Sequence, residues 1–264
     1  MKRLLATICT GLMLAWAPAI QAANTWGTDL SDMWWNPAES GWGANIAHQG
    51  EIVFMTLYVY GTDNRVRWYA ATAMQSRGGA SAFNFDGTLY EFAGPFFGAG
   101  TFAPSDVGVR PVGTANLAFG STAQAVLTYS VDGVVASKSI QRQTFRQNNL
   151  TRSYVGVLST TVSGCLSGNG PRETAGTAVV SHTTNNAFTM TTSLNGGGSC
   201  GYTGTYVQSG RMGQATGTVS CSDGARGTFA MNEIEAGYLG LLSWYSADFG
   251  GSCTETGSQA WLTR

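Results

Sequence analysis

Charged side chains and histidines are scarce in this sequence. Asp, Glu, Lys and Arg make up 11% of the 264 residues, and His48 and His182 are the only two histidines. Nucleic-acid binding requires a basic surface, whereas this chain has 14 basic and 15 acidic residues. Two separated histidines also leave little from which to build a catalytic triad or a zinc centre. The composition therefore argues against nucleic-acid binding and metal chemistry, and we predict no cofactor.

Long apolar runs are missing beyond the amino terminus. Residues 1–22 combine the basic pair Lys2-Arg3 with a nearly uncharged apolar stretch and end in the small residue Ala22. This is the pattern of a secretory signal peptide. No later stretch has the length of a transmembrane helix. We therefore predict a signal peptide over residues 1–22 and export to the periplasm or the extracellular medium.

Cysteine is absent from the first half of the mature chain. Apart from Cys9 in the predicted signal peptide, the four cysteines lie in the second half, and an even number in an exported chain predicts two disulfides. A two-residue turn at Gly210-Arg211 sets two of them opposite each other in a non-hydrogen-bonded pair, and the other two then join the first and last strands of a closed barrel. The predicted disulfides are Cys200–Cys221 and Cys165–Cys253.

Helix signals are nearly absent, and apolar residues alternate with polar ones along most of the chain. This alternation, interrupted by turn pairs such as Asp132-Gly133, predicts seven or eight strands in the first half and eight in the second. Closing each series into a barrel removes its exposed edges. The predicted fold is therefore all-β, with two consecutive antiparallel up-and-down meander barrels of lipocalin-like or avidin-like architecture. The Trp-rich first domain covers residues 24–152, and the disulfide-bonded second domain covers residues 153–264.

The turns also predict the register of the first strands. A two-residue turn at Asp63-Asn64 sets Val59 opposite Trp68, and alternate residues share a face. This register assigns Trp42 and Trp68 to the core. It leaves a stripe of rings on the other face, namely Phe54, Tyr58, Tyr60 and Tyr69.

Tryptophans concentrate around the turn-forming pair Asn36-Pro37. Because Trp42 begins a strand, we interpret this stretch first as an element that closes the barrel. Trp34, Trp35 and Glu39 precede that strand and are expected to line the barrel mouth. A long irregular connection, Glu91 to Pro111, carries two phenylalanines and forms either a binding loop or a plug over the open end. The predicted ligand-binding residues are Trp34, Trp35, Glu39, Trp42, Phe96 and Phe97.

Acidic residues offer an alternative to simple binding. Glu39 lies between tryptophans, where burial would raise its pKa, and a second carboxylate nearby would suit glycosidic hydrolysis. A structural role for Glu39, paired with Arg65 or Arg67, is the simpler interpretation. Glu233 and Glu235 are expected to share one strand face, and a solvated strand explains them as well as a catalytic pair does.

The stretch from Trp34 to Gly43, WWNPAESGWG, resembles a group of exported proteobacterial proteins with a WWNPxESGWG-type signature. Gly87-Thr88-Leu89-Tyr90 and Gly94-Pro95-Phe96 are similar to that group as well. The resemblance covers residues 30–146. It implies an exported β-rich protein, and it implies no particular activity.

Together these observations favour an exported, non-enzymatic binding or interaction protein. Its ligand would be a small apolar or aromatic compound, a sugar or another protein, held at the Trp-rich barrel mouth. One alternative is a periplasmic or secreted hydrolase that uses Glu39 and a second carboxylate, with no other catalytic residue assigned. A purely structural envelope protein is the other alternative, and the oligomeric state is left open.

Overall fold

The computed structural model describes residues 28–78, 83–98 and 100–264, and strands dominate these ranges. Sixteen antiparallel strands follow one another in the described residues and form two closed barrels of eight strands each. Apart from the strands that close each barrel, every strand pairs with its neighbours in sequence, so both barrels are up-and-down meanders, as predicted. The predicted signal peptide lies outside the described residues.

The strands of the first barrel are β1 (Asp32–Trp35), β2 (Gly43–Gln49), β3 (Ile52–Tyr60), β4 (Val66–Ser76), β5 (Asn84–Ala93), β6 (Gly108–Phe119), β7 (Gln124–Val131) and β8 (Val134–Arg142). Those of the second barrel are β9 (Arg152–Ser163), β10 (Gly170–His182), β11 (Ala187–Leu194), β12 (Ser199–Ser209), β13 (Met212–Cys221), β14 (Arg226–Ala236), β15 (Gly240–Asp248) and β16 (Thr254–Thr263). The long β5–β6 connection contains a short 3-10 turn, Pro104–Asp106. The predicted domain boundary, between residues 152 and 153, falls at the first residue of β9.

Side-chain alternation fills the interior of the first barrel. On β3, buried residues alternate with exposed ones, and Val53, Met55 and Leu57 point inward. Large apolar side chains from the other strands pack against them, including Ile46, Met74, Phe85, Leu89, Leu117 and Leu127. The interior is therefore a packed core of side chains.

Strand β1 was not predicted, yet it completes the first barrel. It pairs with β2 on one side and with β8 on the other, where Trp34 lies opposite Arg142. Four residues are too few for alternation to reveal a strand. The Trp-rich stretch thus closes the barrel, as interpreted from the sequence, but it does so with Trp34 inside the core.

The predicted register of β3 and β4 was wrong by one residue near their turn. The connection has a third residue, with Asn64 in the left-handed conformation at φ 58°, and the Gly61 amide donates to the Arg65 carbonyl at 2.9 Å. Tyr58 therefore faces Trp68. Because a shift of one residue exchanges the two faces of a strand, Trp68 is 48% exposed and Tyr69 is 7% exposed.

A bulge in β4 restores the predicted register further along. Met55 faces Ala71, whereas Val53 faces Met74, so β4 contains one residue more than β3 between these two pairs. The pairing of Val53 with Met74 is the one predicted from the sequence. Bulges re-aim side chains in this way without breaking the sheet.

Both predicted disulfides are confirmed. Cys200 lies opposite Cys221 on β12 and β13 with their Cα atoms 4.0 Å apart, and Cys165 bonds to Cys253 with a Cα distance of 4.2 Å. The second disulfide spans the seam where β16 pairs with β9. All four cysteines lie at one end of the second barrel, hereafter the disulfide end.

The opposite end of the second barrel docks against the first barrel. The tight turn between β12 and β13 inserts there, because the Arg211 amide donates to Asp32 Oδ2 at 3.0 Å and the Gly210 amide donates to Thr144 Oγ1 at 2.8 Å. The Arg211 side chain also forms an ion pair with Asp29. The segment before β1 therefore contacts both barrels.

Gly210→Ala is expected to loosen this docking. Gly210 has φ +61°, and a Cβ atom there would collide with the Asp32 carboxylate and come within 2.9 Å of Arg142 Cβ. Gly224→Ala is the matched control, because Gly224 has φ +91° and an added Cβ would meet nothing within 4 Å. Denaturant unfolding should show that Gly210→Ala costs about 1–3 kcal/mol more than Gly224→Ala, since overpacking adds to left-handed strain. Equal losses for the two variants would show that the collision is relieved without cost.

Candidate functional site

The structure places Trp34 in the core of the first barrel and not at a mouth. Its side chain is 0% exposed, and its ring meets Phe119 edge-on with 5.1 Å between centres. The indole Nε1 donates to the Leu30 carbonyl at 3.0 Å, and the Arg142 guanidinium lies 5.1 Å from the ring centre. Trp34 therefore stabilises the barrel and has no surface to offer a ligand.

Glu39 and Trp42 meet at the distal end of the first barrel, the end turned away from the second. Trp42 Nε1 donates to Glu39 Oε2 at 3.1 Å, and Lys138 Nζ forms an ion pair with the same oxygen at 2.7 Å. The hydrogen bond from Lys138 holds the pKa of the exposed Glu39 below its ordinary value. A carboxyl that acts as a general acid needs the opposite shift. Trp35 is half-buried, and its indole nitrogen has no hydrogen-bond partner within the described ranges.

Further ion pairs cover the same distal end. Arg110 bridges Glu91 at 2.7 Å and Asp132 at 2.6 Å. Beneath the end, the half-buried Tyr129 packs against the core, and burial raises its pKa. The Trp-rich end is therefore covered by ion pairs and packed side chains. This disfavours the ligand site that was predicted at this end of the first barrel.

Phe96 and Phe97 lie in the β5–β6 connection, at the same distal end. They are 69% and 94% exposed, and their ring centres lie 4.7 Å apart. Their rings touch each other, and they form a small apolar projection at this end of the barrel.

A larger group of rings lies on the outer wall of β3, β4 and β5. Tyr58 faces Trp68, and Trp68 stacks on Phe92 with 5.2 Å between ring centres and 6° between ring planes. We define the outer aromatic face as Phe54, Tyr58, Tyr60, Trp68, Tyr90 and Phe92. Trp68 was missed as a surface residue because the turn before β4 is one residue longer than predicted. Exposed rings in one patch are typical of contact surfaces, although the wall of a barrel is convex and encloses nothing.

The disulfide end of the second barrel, in contrast, is concave. A cavity of about 420 Å³ opens there, and both disulfides contribute to its wall. Leu194 and Phe249 supply apolar surface, and Arg172 and Glu255 supply charge. Ligand sites in proteins combine these features, a concave apolar wall and a few polar groups.

Glu255 points into this barrel because it alternates in phase with the buried residues Gln259 and Trp261 on β16. Its Oε1 accepts a hydrogen bond from Thr160 Oγ1 at 2.6 Å, and Thr160 is itself buried. The phase of β16 was visible in the sequence, and it could have identified Glu255 as an inward-facing acid.

Two tyrosines lie deeper in the same barrel. The ring centres of Tyr202 and Tyr245 are 6.1 Å apart, and both side chains are buried. Burial raises the pKa of both phenols, and the Glu255 carboxylate adds to the effect. Both hydroxyls therefore stay protonated at neutral pH.

The described residues contain no group of three or more His, Cys, Asp or Glu side chains placed to hold a metal ion. No helix in the described part of the chain has the length and apolar character needed to cross a membrane. No protein-family model matches the sequence, and no curated protein matches it either.

Proposed function

We propose that this is an exported, non-enzymatic binding protein that holds a small polar ligand, of the size of a sugar, at the disulfide end of the second barrel. The observation that carries the proposal is the inward-facing carboxylate of Glu255 in a concave cavity of about 420 Å³. Ligand cavities measure about 300–1,000 Å³, so this one has the appropriate size. The proposal keeps the binding role predicted from the sequence and moves it from the first barrel to the second.

The chemistry of the cavity suits a saccharide. Sugars present hydroxyl groups at their edges and C–H groups on their faces. The Glu255 carboxylate accepts hydrogen bonds from hydroxyls, the Arg172 guanidinium donates to them, and Phe249 offers an apolar ring. The disulfides at the rim restrain the strands before the ligand arrives, which reduces the entropy lost on binding.

The cavity favours a binding role over glycosidic hydrolysis, because its second acid, Asp223, is not placed to act as a catalytic carboxylate. Hydrolysis requires two carboxyl groups that flank the scissile bond. Asp223 also lines the cavity, but its Oδ1 accepts a hydrogen bond from the Ala225 amide at 3.0 Å within its own turn. Glu255 is thus the acid whose side chain faces inward from a strand, and one such carboxylate supports binding.

Glu255→Gln is expected to weaken saccharide binding at least tenfold, because a hydrogen bond to a charged group contributes about 1.5–3 kcal/mol. Titration calorimetry with a panel of mono- and disaccharides measures the effect. Glu173→Gln is the matched control, since Glu173 lies next to Arg172 on β10 with its side chain on the exposed outer face. Absence of binding by every saccharide, or an equal loss in the control variant, would contradict the proposal and favour a purely structural role.

A further inference from the structure

Large apolar side chains are exposed at the distal end of the first barrel. Phe96, Phe97 and Phe102 lie in the β5–β6 connection, Val66 follows the β3–β4 turn, and Val134 follows the β7–β8 turn. We call these five residues the apolar tips, and all five are between 63% and 94% exposed. Exposed apolar residues that collect in one region of a protein are typical of a surface that contacts a partner or a membrane.

The up-and-down topology brings the apolar tips to one end. The β1–β2 connection, which contains Glu39, lies at the distal end, and each later strand of the barrel reverses direction. The β3–β4, β5–β6 and β7–β8 connections therefore lie at the distal end as well. The apolar tips thus come from three connections that are separated in sequence, and they project from the same end of the barrel.

Tyrosine and tryptophan rings form a second layer behind the apolar tips. Tyr60 pairs with Val66 at the rim, and two residues further from the rim Tyr58 pairs with Trp68. Residues two apart on a strand are separated by about 6–7 Å, so Tyr58 and Trp68 lie about that far below Val66. The order of the layers, phenylalanine and valine in front of tyrosine and tryptophan, is that of proteins at a bilayer, where Tyr and Trp rings lie at the level of the headgroups.

The charges at the distal end are largely paired with one another. Arg67 forms an ion pair with Asp63 at 2.8 Å, and the ion pairs of Arg110 and Lys138 are described above. The two remaining charged residues of the distal connections, Arg65 and Asp106, have opposite signs. This end therefore has no basic patch that would attract anionic headgroups, and its apolar side chains are what it offers to a membrane.

We propose that the distal end of the first barrel binds the surface of a lipid bilayer. The apolar tips enter the boundary between headgroups and acyl chains, to a depth of about 5–10 Å, and the rings of Tyr58, Tyr60 and Trp68 lie at the headgroups. A bilayer surface adapts to separate projecting side chains, whereas a protein partner needs a continuous complementary surface of about 800 Å² on each side. The saccharide cavity lies at the opposite end of the molecule, so neither site depends on the other.

Flotation of the purified protein with phosphatidylcholine vesicles tests the contact with lipid. The protein should float with these vesicles, because burial of apolar side chains requires no charged headgroup. Its partition coefficient should change less than about twofold when salt is raised from about 0.1 M to about 1 M, or when anionic phosphatidylglycerol is added to the vesicles. Binding that is lost at high salt, binding that requires the anionic lipid, or no binding at all would overturn the proposal.

A double variant tests the residues. Phe96→Ser combined with Phe97→Ser should lower the partition coefficient about tenfold or more, because two rings no longer transfer from water to lipid. Phe145→Ser is the matched control, since Phe145 is an exposed ring in the linker at the other end of the first barrel. It should change the partition coefficient less than about twofold, because its ring stays in water. An equal loss in the two variants would refute the assignment to the distal end.

Two further measurements separate lipid binding from other effects of the double variant. Thermal unfolding should show it to be as stable as the parent, because both rings are exposed in the folded protein. Analytical ultracentrifugation without lipid should show the parent protein as a monomer. A dimer that the double variant dissociates would identify the apolar tips as a contact between two copies of this chain, and it would overturn the proposal.

Discussion

Replacing Arg142 with methionine is expected to lower the free energy of unfolding by about 3–5 kcal/mol, the cost typical of removing one partner from a buried ion pair. The Arg142 side chain has no exposure to solvent. Its Nη1 donates to Asp32 Oδ2 and to the Ser31 carbonyl, each at 3.1 Å, and its other donors reach the carbonyls of Asp29 and Thr122. Methionine fills similar space and supplies none of these hydrogen bonds.

The loss is large because Arg142 joins three parts of the molecule. It anchors the segment before β1, it lies opposite Trp34 at the β1–β8 seam, and it holds Asp32, which accepts the Arg211 amide from the second barrel. Burial lowers the pKa of Arg142, and the charge of Asp32 opposes that shift. The variant leaves Asp32 with a charge at a site where its side chain is only 11% exposed.

Arg146→Met is the control, because Arg146 is an exposed residue of the linker between β8 and β9. Guanidinium chloride unfolding followed by tryptophan fluorescence should place this control within about 0.5 kcal/mol of the parent. Asp32→Asn combined with Arg142→Met should recover part of the loss, since no uncompensated charge is left behind. A loss below about 1 kcal/mol for Arg142→Met alone would contradict this prediction. It would show that the free energy needed to bury the guanidinium offsets the free energy gained from its hydrogen bonds and ion pair.

The second barrel was the easier of the two to predict from the sequence. Its hairpins reverse at short turn sequences, and Gly210-Arg211 is a two-residue turn whose register could be counted outward to Cys200 and Cys221. Register follows from turn length, so a correct turn gave a correct disulfide.

The first barrel shows why the same reasoning fails elsewhere. Asp63-Asn64 is compatible with both a two-residue and a three-residue loop, and the difference of one residue moved Trp68 from the core to the surface. The burial of Arg142 could not be predicted from the sequence either, because three of its four hydrogen-bond partners, Asp29, Ser31 and Asp32, lie more than 100 residues away along the chain. Alternation describes the faces of a strand, and it does not reveal which distant groups will satisfy a charge.

The positions of the candidate site residues were likewise predictable in one case and not in others. The inward orientation of Glu255 follows from the phase of β16, which the sequence displays. The position of Glu233 depends on a bulge, and no residue type around it signals an extra residue. Glu39 pairs with Lys138, 99 residues away, and not with Arg65 or Arg67 as expected, and this contact lowers the pKa of Glu39, whereas the expected burial would have raised it. The sequence could not show this pairing, because it requires the closed barrel.

Loss of the Cys165–Cys253 disulfide is expected to destabilise the second barrel by about 4–5 kcal/mol, and loss of Cys200–Cys221 by about 3 kcal/mol. The two cysteines of Cys165–Cys253 are 88 residues apart along the chain, and those of Cys200–Cys221 are 21 residues apart. Without its disulfide, the unfolded chain gains more conformational entropy when the loop that the bond closed is longer. Cys165–Cys253 also joins the end of β9 to the start of β16, where the barrel closes. Each pair is replaced by serines in a separate variant.

Denaturant unfolding of the two double variants under non-reducing conditions measures the difference between their free energies of unfolding. The variant without Cys165–Cys253 should be less stable than the other by about 1 kcal/mol. Both pairs border the same cavity at the disulfide end, so each variant is the other's control for changes in packing there. If removing Cys200–Cys221 costs as much as removing Cys165–Cys253, the entropy of the unfolded chain is not the main source of stabilisation. Native packing around the disulfides would then be the main source of the stabilisation. In that case the saccharide affinity should fall in both variants, because both disulfides form part of the cavity wall.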